Sequence, residues 1–394
     1  MIARRVLTGA FALGLLYPAL ATIGISQQRL AAAPSETVTI SIVATTDLHG
    51  YVFPSENHGG LALLGGYVQA LRSLRASDGG AVLLVDAGDA LQGGVESDLS
   101  EGALVVDAFN ALGYTAAAIG NHEFDFGAVD IEGAREGQGD RRGALKARAR
   151  QAQFPFLAAN LIDDRSGRAV NWPNVRPSVV VDSAGIKVGI VGVMTIGALR
   201  ATLPANVRGL SVAPLASTIA AEASALRAAG AAAVIVVAHG GGRCTRFGDP
   251  FDLSSCDPDA EIFQVARALP PGLVNVIAAG HSHEAVAHQV AGIAIVQAHG
   301  RGQAFARADL VLHRATKQVT GVNVFPPRQI CAEDAGERAG CLRCDRPSAV
   351  AEPARYEGRP IAPDPAVVAA MAPALERVRS LQAASLGVVL DSPI

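Results

Sequence analysis

VTISIVATTDLHG, Val38 to Gly50, begins as an apolar run and closes on an acid, a spacer, a histidine and a glycine. Its first half, VTISIV, has the character of a buried strand. Side chains two apart on a strand share a face, so Asp47 and His49 are read as gripping one cation from the strand end. One such pair decides nothing by itself, because aspartate and histidine are also ordinary turn residues. The question is whether other apolar runs end the same way.

They do. AVLLVDAG leads to Asp89, TAAAIG to Asn121 and His122, VIVVA to His239, and VIAAG to His281 and His283. GIKVGIVGV and IAIVQAHG read as further strands, while ALVVDAFNALG and the alanine-rich stretch around Ser217 to Ala229 read as helices. Strands alternating with helices define the α/β class, whose sites gather in the loops beyond the strand ends. Were these runs neighbouring parallel strands, their terminal ligands would converge on one edge of a sheet. DIEGAREGQGDRRGAL, from Asp130 to Leu145, is a polar insertion, and the chain has no internal repeat.

With 394 residues, half of them hydrophobic and 18% charged, the chain has ample material for a globular core. A net charge of -3 with both signs scattered argues against a nucleic acid polymer as partner. Residues 1–35 read as a signal peptide: Arg4 and Arg5 precede an apolar stretch from Val6 to Ile25, and AAAP at Ala31 to Pro34 offers small residues for cleavage. The expectation is a periplasmic or secreted protein; an uncleaved N-terminal anchor is the alternative and the one route to a membrane. The five cysteines fit an oxidising compartment. Cys244 and Cys256 bracket one loop and Cys331, Cys341 and Cys344 cluster later, which gives two disulfides and one thiol. No histidine lies near the late trio to complete a zinc site.

Asp47, His49, Asp89, Asn121, His239, His281 and His283 offer oxygen and imidazole donors without a thiolate. That mixture suits divalent Mn, Fe, Zn, Co or Mg, and it exceeds the usual protein shell of one ion. Two ions sharing a bridging carboxylate would use it fully. Such a pair makes a water more acidic and holds a phosphoryl oxygen, both of which serve in-line attack on phosphorus.

DLH, GDALQGG, GNHEFDFG, AHGGG and GHSH, in this order, resemble the blocks of the calcineurin-like metallophosphoesterases, and GNHEFDFG with its long spacing resembles the 5'-nucleotidase family among them. The similarity runs from about Val38 to Phe325. It implies a four-layer α/β/β/α sandwich with one metal held by Asp47, His49, Asp89 and His283. A second would be held by Asp89, Asn121, His239 and His281, with Asp89 as the bridge. Many relatives have glutamine at the position of His283, which leaves the metals' identity open. The resemblance gives His122 the catalytic role of stabilising developing charge and helping the leaving oxygen depart. Asp125 looks like its orienting partner, or alternatively a helix cap. His58, His288, His299 and His313 are read as surface or supporting residues.

On this reading residues 36–328 form the catalytic domain and 329–362 a cysteine-containing polar segment. Residues 363–394 form a helical linker to a C-terminal substrate domain that the chain lacks and that a separate chain could supply. The expected function is exported phosphoester hydrolysis of 5'-nucleotidase type, with a nucleotide as substrate. A cyclic-nucleotide phosphodiesterase, a nucleotide-sugar pyrophosphatase or a thiosulfohydrolase could share the motifs. A non-catalytic metal-binding or partner-docking protein is the alternative of another class.

Overall fold

Along Thr37–Thr45 (β1), Val38, Ile40, Ile42 and Ala44 turn to one face and Val43 to the other, and all are buried. A strand covered on both faces needs a layer on each side. The computed structural model describes residues 36–55, 59–129, 139–332 and 353–384, and supplies both layers.

In chain order the elements are β1, α1 (Gly60–Asp78), β2 (Ala81–Asp86), α2 (Val95–Asp98), α3 (Ala103–Leu112), β3 (Ala116–Ala118), α4 (Gly143–Gln151), β4 (Phe156–Leu157), β5 (Leu161–Asp163), β6 (Arg168–Ala169), β7 (Val175–Arg176), β8 (Ser178–Ser183) and β9 (Ile186–Met194). There follow α5 (Pro204–Val207), β10 (Leu210–Val212), α6 (Leu215–Ala228), β11 (Ala233–His239), α7 (Glu261–Ala268), β12 (Val276–Ala279), β13 (Val286–Val290), β14 (Ile293–Gln297), β15 (Ala304–His313), β16 (Val319–Gln329), β17 (Arg355–Tyr356), β18 (Arg359–Pro360) and α8 (Pro365–Ala383).

Two large sheets dominate. One runs β16-β15-β1-β2-β3-β4-β7 and the other β13-β14-β12-β11-β9-β8. Within the first, β1, β2, β3, β4 and β7 are parallel. Within the second, β9, β11, β12 and β14 are parallel, with β8 and β13 antiparallel at the edges. The alternate residues Ile40 and Ile42 of β1, Leu83 and Val85 of β2, Ile190 of β9 and Ile235 and Val237 of β11 pack in one cluster between the sheets. The opposite faces carry the helices: Leu64 and Phe109 of α1 and α3 join Val43 and Leu84 on the first sheet. Ile219 and Phe263 of α6 and α7 join Val191, Val234 and Ile277 on the second. Helix, sheet, sheet and helix make the four layers expected from the resemblance.

The expectation of a single sheet edge is corrected by this arrangement. The ligand-bearing runs divide between two sheets: β1, β2 and β3 in one, β11 and β12 in the other. A strand buried on both faces has the same sequence pattern whether its neighbour in space is a helix layer or a second sheet. Pairing of Thr45 with Asp86, and of Asp86 with Ala117, levels the strand ends of the first sheet. Ala238 beside Ala279 does so for the second.

Near the C-terminal end of the described residues lies α8, capped by Asp364, whose side chain accepts from the Ala366 N–H, with Pro365 at the start of the helix. It lies against α1, α2 and α3 and buries Val367, Met371 and Val378. Cys244 and Cys256 are joined in a disulfide across the loop after β11. Cys331 is disulfide-bonded as well. Cys341, Cys344, His58 and the N-terminal segment, residues 1–35, lie outside the described residues. Among the described residues no helix is long and apolar enough to cross a membrane.

Candidate metal centre

Every parallel strand delivers its loop to the same end of its sheet, and the loops of the two sheets interlock there. The Asp47, His49 and Gly50 N–H groups donate to the carbonyls of Gly88, Asp89 and Ala90, which ties the loop after β1 to the loop after β2. The His281 N–H reaches across from the second sheet to the Asp47 carboxylate at 3.0 Å. From the first sheet, the Ala87 carbonyl accepts a hydrogen bond from His239 Nδ1 at 2.9 Å.

Asp47, His49, Asp89, His281 and His283 all have positive φ, between 49° and 76°. Residues other than glycine rarely occupy this region, and such strain concentrates at functional sites. It also corrects the strand reading of Asp47 and His49. The strand stops at Thr45, so the two residues meet in a left-handed loop rather than through the pleat.

The donors gather in two groups. Asp47, His49 and His283 place one ligand atom each within 4.8 Å of one another, and so do Asp89, His239 and His281. The Nε2 atoms of His49 and His283 lie 3.1 Å apart. His239 Nε2 lies 3.0 Å from Asn121 Oδ1, 3.0 Å from His281 Nδ1 and 3.2 Å from Asp89 Oδ2. Ligands about 2.1 Å from a tetrahedral or octahedral ion stand about 3.0–3.4 Å from each other. The spacing is compatible with a coordination shell. Asp89 belongs to the second group and also falls within 4.8 Å of His49 and His122, so its carboxylate stands between the two. All seven expected ligands are therefore brought together.

Backbone carbonyls set the ring orientations. His239 Nδ1 faces Ala87 O and His49 Nδ1 faces Gln92 O, which turns each Nε2 inward. Burial holds His49 at about 4 against the pull of Asp89, and burial with the neighbouring His239 holds His281 at about 4. Both rings are neutral near pH 7 and can act as ligands. Burial opposes charge on His239 too, but Asp89, Asp47 and Glu123 overcome it and push the ring up to about 10. Burial works against ionisation of Asp89, yet His239 and the N–H of His122 hold its carboxyl below the usual range. Burial, reinforced by Asp89, raises Asp47. Buried carboxylates sharing one protonated histidine form an environment that wants positive charge, and divalent cations would supply it.

His122 sits on the open side with its Nδ1 2.5 Å from Asp125 Oδ2. That hydrogen bond raises the His122 pKa despite partial burial. Its side chain is 31% exposed and that of His283 40%, whereas Asp47, Asp89 and His239 are buried, so the centre opens to solvent at His122 and His283. Of the two alternatives given for His288, a surface or a supporting residue, the surface one is excluded: it is fully buried in β13, in ring contact with Phe247 and beside the Cys244–Cys256 disulfide.

Glu123 was not singled out in the sequence, yet it holds the site together. Its fully buried carboxylate accepts from the N–H groups of Asp89, Ala90, Leu91 and Gly120. Thr46 donates to Asp47 Oδ2 at 2.6 Å, and Asp86 accepts from Thr45 and from the Gly88 N–H. Close packing explains the glycines: a Cβ on Gly120 would collide with Asp89, and one on Gly280 with the Thr46 hydroxyl. An acid inside GNHE was visible in the sequence; its four backbone partners were not.

Residues 40–285 match the family model for calcineurin-like phosphoesterases, and the chain belongs to that family. The UshA protein of Yersinia enterocolitica is 28% identical over 312 residues, covering 74% of this chain and 52% of that protein. The 5'-nucleotidase of Vibrio cholerae is 26% identical over 312 residues, with the same coverages. The calcineurin-like phosphoesterase YfkN of Bacillus subtilis superposes with a TM-score of 0.63 over 88% of this chain and 99% of that one, at 19% identity, a likeness of fold. The chain spans about half the length of the curated relatives it matches.

Proposed function

We propose that the chain is an exported phosphoester hydrolase of 5'-nucleotidase type that works with two divalent cations. The observation carrying this reading is the Asp89 carboxylate, set between two groups of oxygen and nitrogen donors at coordination spacing. Asp47, His49, Asp89 and His283 would hold one ion, and Asp89, Asn121, His239 and His281 the other. When bound, the ions would supply charge for the phosphoryl oxygens and acidify a water for attack on phosphorus. The chain's own residues do the rest. Asp125 accepts a hydrogen bond from His122 Nδ1–H and favours the imidazolium, so Nε2 can hold a proton toward the departing oxygen at the exposed side of the centre. The raised pKa of His122 supports that charge state. The disulfide-bonded cysteines Cys244, Cys256 and Cys331 support an oxidising compartment. The relatives named UshA and 5'-nucleotidase support a nucleotide as substrate.

The test is elemental analysis of purified protein together with hydrolysis of a panel of phosphomonoesters and phosphodiesters, AMP, GMP and UMP included, in Mn, Zn, Co or Mg. Two ions per chain and phosphate release from a nucleotide are expected. No ester hydrolysed in any metal would overturn the reading.

A further inference from the structure

We infer that the segment Ala201–Asn206 is a clamp that positions the catalytic turn Asn121–Asp125, with Thr202 as the positioning residue for the His122–Asp125 pair; this deepens the proposed phosphoesterase function and rests on it. The turn follows β3 in the first sheet, whereas the segment follows β9 in the second. Three hydrogen-bonding residues join them. Asn121 Nδ2 donates to the Ala201 carbonyl at 3.1 Å. Thr202 Oγ1 donates to Asp125 Oδ1 at 2.7 Å. Buried Asn206 donates from Nδ2 to the carbonyls of Phe124 at 2.8 Å and Asp125 at 3.4 Å.

Each bond removes a freedom that matters at the centre. An asparagine amide can present either its oxygen or its nitrogen, and only the oxygen can serve a cation. With Nδ2 committed to Ala201, Oδ1 faces His239 at 3.0 Å. A carboxylate held only by a histidine can still rotate about its Cβ–Cγ bond. Asp125 has Oδ2 on His122 and Oδ1 on Thr202, so its plane is fixed at both oxygens and the His122 ring with it. The hydroxyl must be the donor, because an ionised carboxylate only accepts. The segment itself is stiff: Thr202 is β-branched, and Pro204 at the start of α5 holds Leu203 extended. Asn206 then locks the carbonyls of the same turn from behind.

The test compares the full-length protein with Thr202→Val, which keeps the shape and loses the hydroxyl, and Thr202→Ser, which restores it. Metal content, kcat, KM and the low-field proton resonance of the His122–Asp125 hydrogen bond, assigned by its loss in His122→Ala, are measured on each. Thr202→Val should keep wild-type metal content and KM, lose about tenfold in kcat as the acid pair loosens, and shift or broaden the resonance. Thr202→Ser should regain both. An unchanged kcat and resonance in Thr202→Val, or a Thr202→Ser protein no better than Thr202→Val, would overturn the clamp. If the wild type hydrolyses no phosphoester, the proposed function falls, and the resonance in the two variants still decides the clamp.

Discussion

Glu123→Gln changes one carboxylate oxygen to an amide nitrogen and leaves the side chain's size alone. In the wild type Oε2 accepts from the N–H groups of Asp89 at 2.9 Å and Gly120 at 2.7 Å, while Oε1 accepts from Ala90 at 2.7 Å and Leu91 at 3.3 Å. Whichever oxygen is replaced, two backbone donors then face an NH2 group. A buried donor left without an acceptor costs about 1–3 kcal/mol, so the gross penalty is about 2–6 kcal/mol. Relief works against it, because burial and the nearby Asp89 raise the pKa of Glu123 and make its charge costly to hold. A net loss of about 2–3 kcal/mol is expected from these opposing effects, read as a lower urea midpoint at unchanged slope. The effect on metal binding should be larger in consequence, since three of these N–H groups belong to the loop that carries Asp89 and the fourth, that of Gly120, precedes Asn121. Calorimetric titration of the variant with Mn or Zn should show weaker binding. Unfolding within about 0.5 kcal/mol of wild type, the range of an ordinary surface change, together with unchanged metal affinity, would refute the view that Glu123 anchors the loop.

Asp89→Asn should lower the content of both ions because its side chain stands between the two donor groups, whereas His122→Ala should keep its metal and lose most turnover; equal metal loss in the two variants would break that division. Chelation should lower the melting temperature, and metal at about 100 times its dissociation constant should restore about 2.7 kcal/mol for each ion bound; a melt insensitive to both would mean the buried donors bind no ion. Gly280→Ala should push the Thr46 hydroxyl from Asp47 and weaken metal binding by about 10–100-fold, with wild-type affinity as the contrary result. Replacing Cys244 and Cys256 by serine removes a cross-link between residues 12 apart and should cost about 3 kcal/mol in urea unfolding; no change in midpoint would show that the loop is held without it.

The site was legible in the sequence to the extent that its chemistry ends apolar strands. Asp47, Asp89, Asn121, His239 and His281 each follow a run that can be recognised by composition, and parallel strands bring such ends level whatever the intervening length. The division into two sheets was not legible from the runs themselves. Ile40 and Val43 bury opposite faces of one strand, and nothing in the residues states that one face meets a sheet and the other a helix. Groups that act through backbone atoms were hidden for a related reason. Glu123 binds backbone N–H groups, which every residue but proline has, so no side-chain pattern marks its partners at Asp89, Ala90 and Leu91. Thr202 lies 77 residues from Asp125 in a segment without an apolar run, and its hydroxyl matters because two sheets meet there. What the sequence conceals at this centre is the support rather than the ligands. Ligands must be particular elements at particular strand ends, whereas a hydroxyl or a carboxylate directed at a backbone group can come from any loop the fold brings within reach.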